Sequence, residues 1–250
     1  NSKTAGHPEY GHISGIETTT GPLGQGLGNA VGFAIAEEFV AARWGSHLCD
    51  HFTYVIAGDG CLMEGISQEV ISLAGKLKLK KLIVIWDDNG ITIDGPLDLS
   101  CNTDQISRFQ SSGWSTFSCD AHNPIEIDQA INNAKKDSRP SLIAAKSIIG
   151  YGSTAKQGTS GVHGAPLGKN EVEQLRKNFD WQYKEFEIPS DIKESWVKIG
   201  QKSHKVFKDW SDRLQSLSEK KRTAFLNELD KIFPSKLTRG IKNFKKLYSQ

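Results

Sequence analysis

The stretch that decides the fold is Phe52-Thr-Tyr-Val-Ile-Ala57, which runs straight into Gly58-Asp59-Gly60; further on, Leu82-Ile-Val-Ile-Trp86 runs into Asp87-Asp88-Asn89-Gly90-Ile91. Both apolar runs are short, rich in β-branched residues and closed by glycine or turn residues, so each reads as a buried strand. Between them Ile66, Val70, Ile71, Leu73 and Ala74 recur at helical spacing and predict a crossover helix over 65–76. A right-handed strand–helix–strand unit lays its two strands parallel and brings their C-terminal ends to one edge of the sheet. That edge is where open α/β sheets bind ligands.

Working outward, the same rhythm continues. A helix is expected over 27–44, strands over 114–119 and 142–146, and a helix over 124–136 between those strands. The fold class this implies is α/β, a mostly parallel sheet with helices on both faces. After Gly150 comes Gly150-Tyr-Gly-Ser-Thr-Ala-Lys-Gln-Gly-Thr-Ser-Gly-Val-His163-Gly-Ala-Pro-Leu-Gly168, too rich in glycine and polar residues for regular structure. It is either a disordered connector or a functional loop. A short helix is expected over 169–179. From about Pro189 the chain is polar, basic and helical in period, with breaks expected at Pro234 and Gly240. The organisation expected is one domain over 1–190 and a helical basic linker over 191–250, with no internal repeats.

Composition bounds the function. With 250 residues, 37% hydrophobic and 24% charged, the chain can bury one sizeable core. No run approaches the eighteen apolar residues a membrane span needs, and Asn1-Ser-Lys-Thr4 is neither a signal peptide nor a natural start, so a fragment is expected. Cys49, Cys61, Cys101 and Cys119 contain no C-x-x-C pair, which fits reduced thiols in a cytoplasmic setting rather than zinc or a disulfide framework. The net charge of +2 hides an asymmetry: residues 201–250 carry 13 Lys and Arg against 5 Asp and Glu. These charges interleave with apolar residues at helical spacing, which marks a solvated helix face, and no nucleic-acid motif accompanies them.

Chemistry concentrates at the two strand ends. Asp59 offers a carboxylate oxygen, Asn89 an amide oxygen, and the Asn89-Gly90-Ile91 turn can aim the carbonyl of Ile91 the same way. Three hard oxygens suit Mg²⁺, which keeps further positions for a diphosphate and water. Gly58 and Gly60 leave room for a phosphate, and the Gly60 amide can donate to it. Alone, Gly58-Asp59-Gly60 would be an ordinary strand-to-helix turn; the crossover helix and the Asn at the next strand end turn it into a ligand site. Gly21-x-x-Gly24-x-Gly26-x-Gly28 lacks the spacing and the preceding strand of a dinucleotide loop.

The GDG-to-Asn spacing resembles the thiamine-diphosphate signature. Gly6-His7-Pro8-Glu9, Glu17-Thr-Thr-Thr-Gly21-Pro22-Leu23-Gly-Gln-Gly26, Gly58-Asp-Gly-Cys-Leu-Met-Glu64-Gly-Ile-Ser67, Asp87-Asp-Asn-Gly-Ile91 and Val162-His-Gly-Ala-Pro-Leu167 together resemble transketolases from residue 1 to about 195. The resemblance implies thiamine diphosphate and Mg²⁺, with Ca²⁺ as a substitute, in a homodimeric enzyme that moves a two-carbon ketol unit between phosphorylated sugars. It assigns Asp59, Asn89 and Ile91 to the metal. Gly21, Pro22 and Leu23 fall to a loop along the cofactor, Gly60 to the diphosphate, and Ile149 to a side chain packed on the cofactor. Asn89 thus serves cofactor and metal together. His163 corresponds to a histidine near diphosphate and substrate, His7 to one facing substrate, and Glu64 to a buried acid between paired active sites. Imidazoles around an anionic site can donate to phosphate or carry protons to a hydroxyl. His12, His47, His51, His122 and His204 read as ordinary surface histidines.

The chain departs from the family in places. A transketolase is expected to continue before Asn1 and, with two further domains, after Gln250, and the glutamate that contacts the aminopyrimidine is missing. Ser160 stands where some members have a histidine. The isolated 250 residues are accordingly expected to be inactive. Dihydroxyacetone- or deoxyxylulose-type synthases share the GDG-to-Asn frame, and a non-catalytic cofactor-binding module is the alternative from another class.

Overall fold

The computed structural model describes residues 6–230, 232 and 235–249. Asn1 to Thr4 and the break expected at Pro234 lie outside the described residues.

The chain divides into two compact units, one formed by 1–39 with 51–185, the other by 40–50 with 186–250. Helix α1 (Gln25–Trp44) is followed by strand β1 (Thr53–Gly58), short helix α2 (Asp59–Met63), crossover helix α3 (Gly65–Leu77) and strand β2 (Leu82–Asp88). A hairpin of β3 (Ile91–Thr92) and β4 (Gly95–Pro96) comes next, then α4 (Gln105–Ser111), β5 (Ser115–Asp120), α5 (Pro124–Ala134), β6 (Ser141–Lys146) and α6 (Lys169–Asn178). The second unit carries α7 (Ser190–Gln215), α8 (Glu219–Leu229) and α9 (Ser235–Leu247).

The four long strands form one parallel sheet in the order β1-β2-β6-β5, with Ala57 opposite Trp86 and Asp87 opposite Ala145. Alternation along each strand serves two layers. Leu82, Val84, Trp86, Leu142 and Ala144 face a core shared with Leu27, Val31, Ile71, Phe109 and Trp114, while Ile83, Ile143, Ala145 and Cys119 face Ala130 and Ala134 of α5. This is the fully buried strand pattern of a sheet covered on both sides. At β1 the second face is open: Tyr54 and Ile56 are exposed. On the covered side the fit is close, for a Cβ added at Gly75 in α3 would sit 1.7 Å from the Ser112 carbonyl oxygen.

Each strand and helix expected from the sequence is present, with ends shifted by one or two residues. Three elements carried too little pattern to be read: the five-residue α2, the hairpin, and α4, whose N-cap Asp104 accepts from the Ser107 amide. One expectation is corrected. Gly240 does not break the tail, because α9 runs through it from Ser235 to Leu247; a single glycine costs a helix only about 1 kcal/mol relative to alanine.

The second unit has a small core of its own. Leu48, Leu214 and Phe225 are buried, Trp44 meets Phe225 edge-on at 5.5 Å, and Trp210 donates to the Leu48 carbonyl. No disulfide joins any of the four cysteines. Among the described residues no helix is long and apolar enough to cross a membrane.

Candidate functional site

Asp59 is the first residue after β1, and the alternation that buries Ala57 brings its side chain to the same face, where it is 6% exposed. Trp86, opposite Ala57, donates its indole N–H to Asp59 Oδ1 across 2.9 Å. Asp59 Oδ2 is buried and has no hydrogen-bond partner. Burial raises the Asp59 pKa above the usual carboxylate range; the Trp86 hydrogen bond opposes this, the negative charge of Asp88 reinforces it, the Gly90 amide lowers it and Asp87 raises it. A buried carboxylate oxygen without a donor, in a field of neighbouring carboxylates, suits a cation.

The second strand end is organised by an Asx turn. Asn89 Oδ1 accepts from the Ile91 amide at 2.9 Å, and its Nδ2 donates to Asp87 Oδ2 at 3.1 Å. Asp87 is held in turn by the Ser147 hydroxyl from the end of β6. The hairpin decides where Ile91 points. Leu97 donates to the Gly90 carbonyl, so residues 90 and 97 form a hydrogen-bonded pair, and Ile91 opposite Pro96 falls on the alternate, unbonded position. Its N–H and C=O therefore turn away from β4, to the side of the Asn89 amide. Asp59 Oδ2, Asn89 Oδ1 and the Ile91 carbonyl could offer Mg²⁺ one charged and two neutral oxygens, the donor type it takes. Among the described residues no group of three or more His, Cys, Asp or Glu side chains could hold a metal.

The glycine loop lies beside this set. A Cβ at Gly60 would meet the Leu23 side chain at 3.2 Å, whereas one at Gly58 would meet nothing within 4 Å. Gly21, at φ +143°, brings its backbone so near His7 that a Cβ would stand 2.9 Å from Nε2. His7, Gly21, Pro22, Leu23 and Gly60 are therefore neighbours in a row that ends at Asp59. His7 is exposed and stands 3.6 Å from Glu9. Glu64, at the start of α3, is exposed, so the burial that the resemblance implies for it is not found within the described residues.

Ile149 is half-buried, two residues beyond Ser147, and its carbonyl accepts from the Gly158 amide. His163 closes a single 3₁₀ turn, Ser160–Val162, and is exposed. Val162 packs so close to Gly150 that a Cβ there would stand 2.9 Å from it, which sets His163 beside the Ile149 turn. The glycine-rich stretch is thus a folded loop. No hydrogen bond joins His163 to Asp59 or to His7 among the described residues. Sequence reasoning missed Trp86, Asp87 and Ser147, which hold Asp59 and Asn89. The signal for Trp86 was available, since strands paired with Ala57 opposite Trp86 put the indole next to residue 59.

Fold and site define the class, that of parallel α/β domains that bind thiamine diphosphate, and the model for "Transketolase, thiamine diphosphate binding domain" matches residues 1–237. The chain is 51% identical to a transketolase of Rhodobacter capsulatus over 249 residues, all of this chain and 37% of that protein. It is 54% identical to one of Cereibacter sphaeroides over 215 residues, 86% of this chain and 33% of that one. Among solved structures it resembles a Pichia stipitis transketolase variant in complex with fructose 6-phosphate, with TM-score 0.87 and 40% identity over 93% of this chain and 36% of that one. A Leishmania mexicana transketolase gives TM-score 0.85 and 38% identity over 90% and 35% of the two chains. The chain belongs to the transketolase family. It spans about a third of the length of these curated relatives.

Proposed function

We propose that the protein is a transketolase of the pentose phosphate pathway, moving a two-carbon ketol unit from a ketose phosphate to an aldose phosphate as a cytoplasmic homodimer. The observation that carries the reading is the buried, unpartnered Asp59 Oδ2 at the sheet edge it shares with Asn89. The relatives named transketolase support the activity, and the Pichia stipitis complexes with fructose 6-phosphate and sedoheptulose 7-phosphate support phosphorylated sugars as substrates.

Thiamine diphosphate, when bound, supplies a carbon nucleophile and an electron sink for breaking a carbon–carbon bond beside a carbonyl. The residues of this chain do the rest. Asp59 gives Mg²⁺ its one charged protein ligand, Asn89 and the Ile91 carbonyl two neutral ones, and the Gly60 amide donates to the diphosphate. Gly21, Pro22 and Leu23 run along the cofactor, and Ile149 packs on it. His163 and His7 donate to phosphate or carry protons at the sugar hydroxyls. Glu64 meets the partner protomer of the dimer.

The test is Asp59→Ala in the full-length gene product. Calorimetry should find Mg²⁺-dependent binding of thiamine diphosphate abolished; wild-type affinity would remove the metal assignment.

A further inference from the structure

His122 sits in the β5–α5 loop with no motif around it, yet it touches both ends of one turn. Tyr151 donates its amide to the Ile148 carbonyl, which makes 148–151 a β-turn with Ile149 and Gly150 at its centre. Gly150, at φ +67°, takes the left-handed value that the third position of a type II turn requires. The Ile148 amide, first in the turn, donates to His122 Nε2 at 3.0 Å. The Tyr151 ring, last in the turn, stacks on the imidazole at 3.9 Å between centroids and 21° between planes. One side chain thus holds the first and last residues of the turn that displays Ile149. The turn is also anchored by Ser147, whose amide donates to the Asp88 carbonyl and whose hydroxyl donates to Asp87, by the Gly158 amide on the Ile149 carbonyl, by the Ser153 amide on the Gly150 carbonyl, and by Val162 and Phe179 packed on Gly150 and Tyr151.

We propose that His122, as a neutral imidazole accepting the Ile148 amide, is a positioning residue that sets Ile149 for thiamine diphosphate and releases it when protonated. The inference rests on the reading that Ile149 packs on the cofactor. Its chemistry is simple: Nε2 accepts only while the ring's proton is on Nδ1, and an imidazolium has no acceptor. The ionisable groups around the ring are Asp120, whose Oδ1 accepts from the His122 amide, Glu126, which accepts from the Asp120 amide, Cys119, Tyr151, and Lys146 paired with Asp88. Protonation removes the acceptor, so acid opens the contact.

Two variants separate the contacts. His122→Phe keeps a ring for Tyr151 and removes the acceptor; His122→Gln keeps an acceptor and removes the ring. In the full-length gene product, hydrogen exchange at the Ile148 amide should be faster in the Phe variant than in wild type and slowed again in the Gln variant. Calorimetry with thiamine diphosphate and Mg²⁺ should find affinity weakened about fivefold in the Phe variant, the loss of one hydrogen bond of ordinary strength, and partly restored in Gln. On going from about pH 8 to about pH 5, where histidines take up a proton, wild type should lose affinity more steeply than the Gln variant. Equal slopes, or wild-type affinity in the Phe variant, would overturn the inference. Ile149→Ala tells the two readings apart: if it too binds normally, the placement of Ile149 fails; if it alone weakens binding, His122 fails as its positioner. Should the Phe variant not fold, the two pH slopes decide.

Discussion

The sheet and the helical tail spend their apolar residues in opposite ways. In the sheet unit Phe109 is fully buried and meets Trp114 edge-on at 4.9 Å, while Trp114 donates to the Ile71 carbonyl. In the tail, Leu214 and Phe225 are buried, but Trp196, Phe207 and Phe244 are exposed along helices of strong amphipathic period. Apart from the open face of β1, the sheet's apolar pattern is answered within the chain, and most of the tail's is not. A single period of 3.6 residues therefore says that a face is apolar, and nothing about what covers it.

The sharpest way to break this comparison is to make one substitution in both places. Phe109→Ala should cost about 3–5 kcal/mol of stability in chemical denaturation, because it empties a fully enclosed site. A cost below 1 kcal/mol would mean the sheet core is loosely packed. At the sheet's rim the scale drops: Asn123 caps α5 by accepting from the Ile125 amide, and Asn123→Ala should cost about 1 kcal/mol by the same measurement.

Asp59→Asn should move stability the other way. A carboxyl whose native pKa is raised keeps its proton in the folded state at a pH where the unfolded chain has lost it. Its contribution to stability therefore falls as pH rises from the ordinary Asp range through the native value. The amide removes that penalty and can still accept from Trp86. In metal-free protein near neutral pH the melting temperature should rise by a few degrees, with the gain vanishing in acid and Mg²⁺-dependent stabilisation lost. A fall in melting temperature at neutral pH would contradict the raised pKa. The smallest effect belongs to Phe207→Ala, which should stay within about 0.5 kcal/mol because Phe207 is 68% exposed. A loss above 2 kcal/mol in the full-length gene product would show that another surface covers α7.

How much of this the sequence held depends on the kind of signal. The strands and crossover helices were legible because buried parallel strands are continuous apolar runs and the helices between them are periodic. The hairpin and α2 were not, since two to five residues carry no period. At the site, the placement of Asp59 and Asn89 at neighbouring strand ends was readable, whereas Trp86, Ser147 and His122 make contacts that only tertiary register creates. His122 is the clearest case: its partners Ile148 and Tyr151 lie some thirty residues away, and nothing local separates it from a surface histidine. Gly240 erred in the other direction, a real helix breaker whose small penalty the helix absorbs.

Strand β1 has one further consequence. Among the described residues it is an outer strand of the sheet, and its six residues, Thr53-Tyr-Val-Ile-Ala-Gly58, hold no charge and no proline. Such a segment is a template for copies of itself, and amyloid-like stacking is the hazard it carries whenever its free side is open. Asp50 and Asp59 bracket it, and flanking charges are the usual gatekeepers against that stacking. Asp50 is exposed and can act in that way, whereas Asp59 is buried. Asp50→Asn would, at high concentration, precipitate sooner than the parent chain.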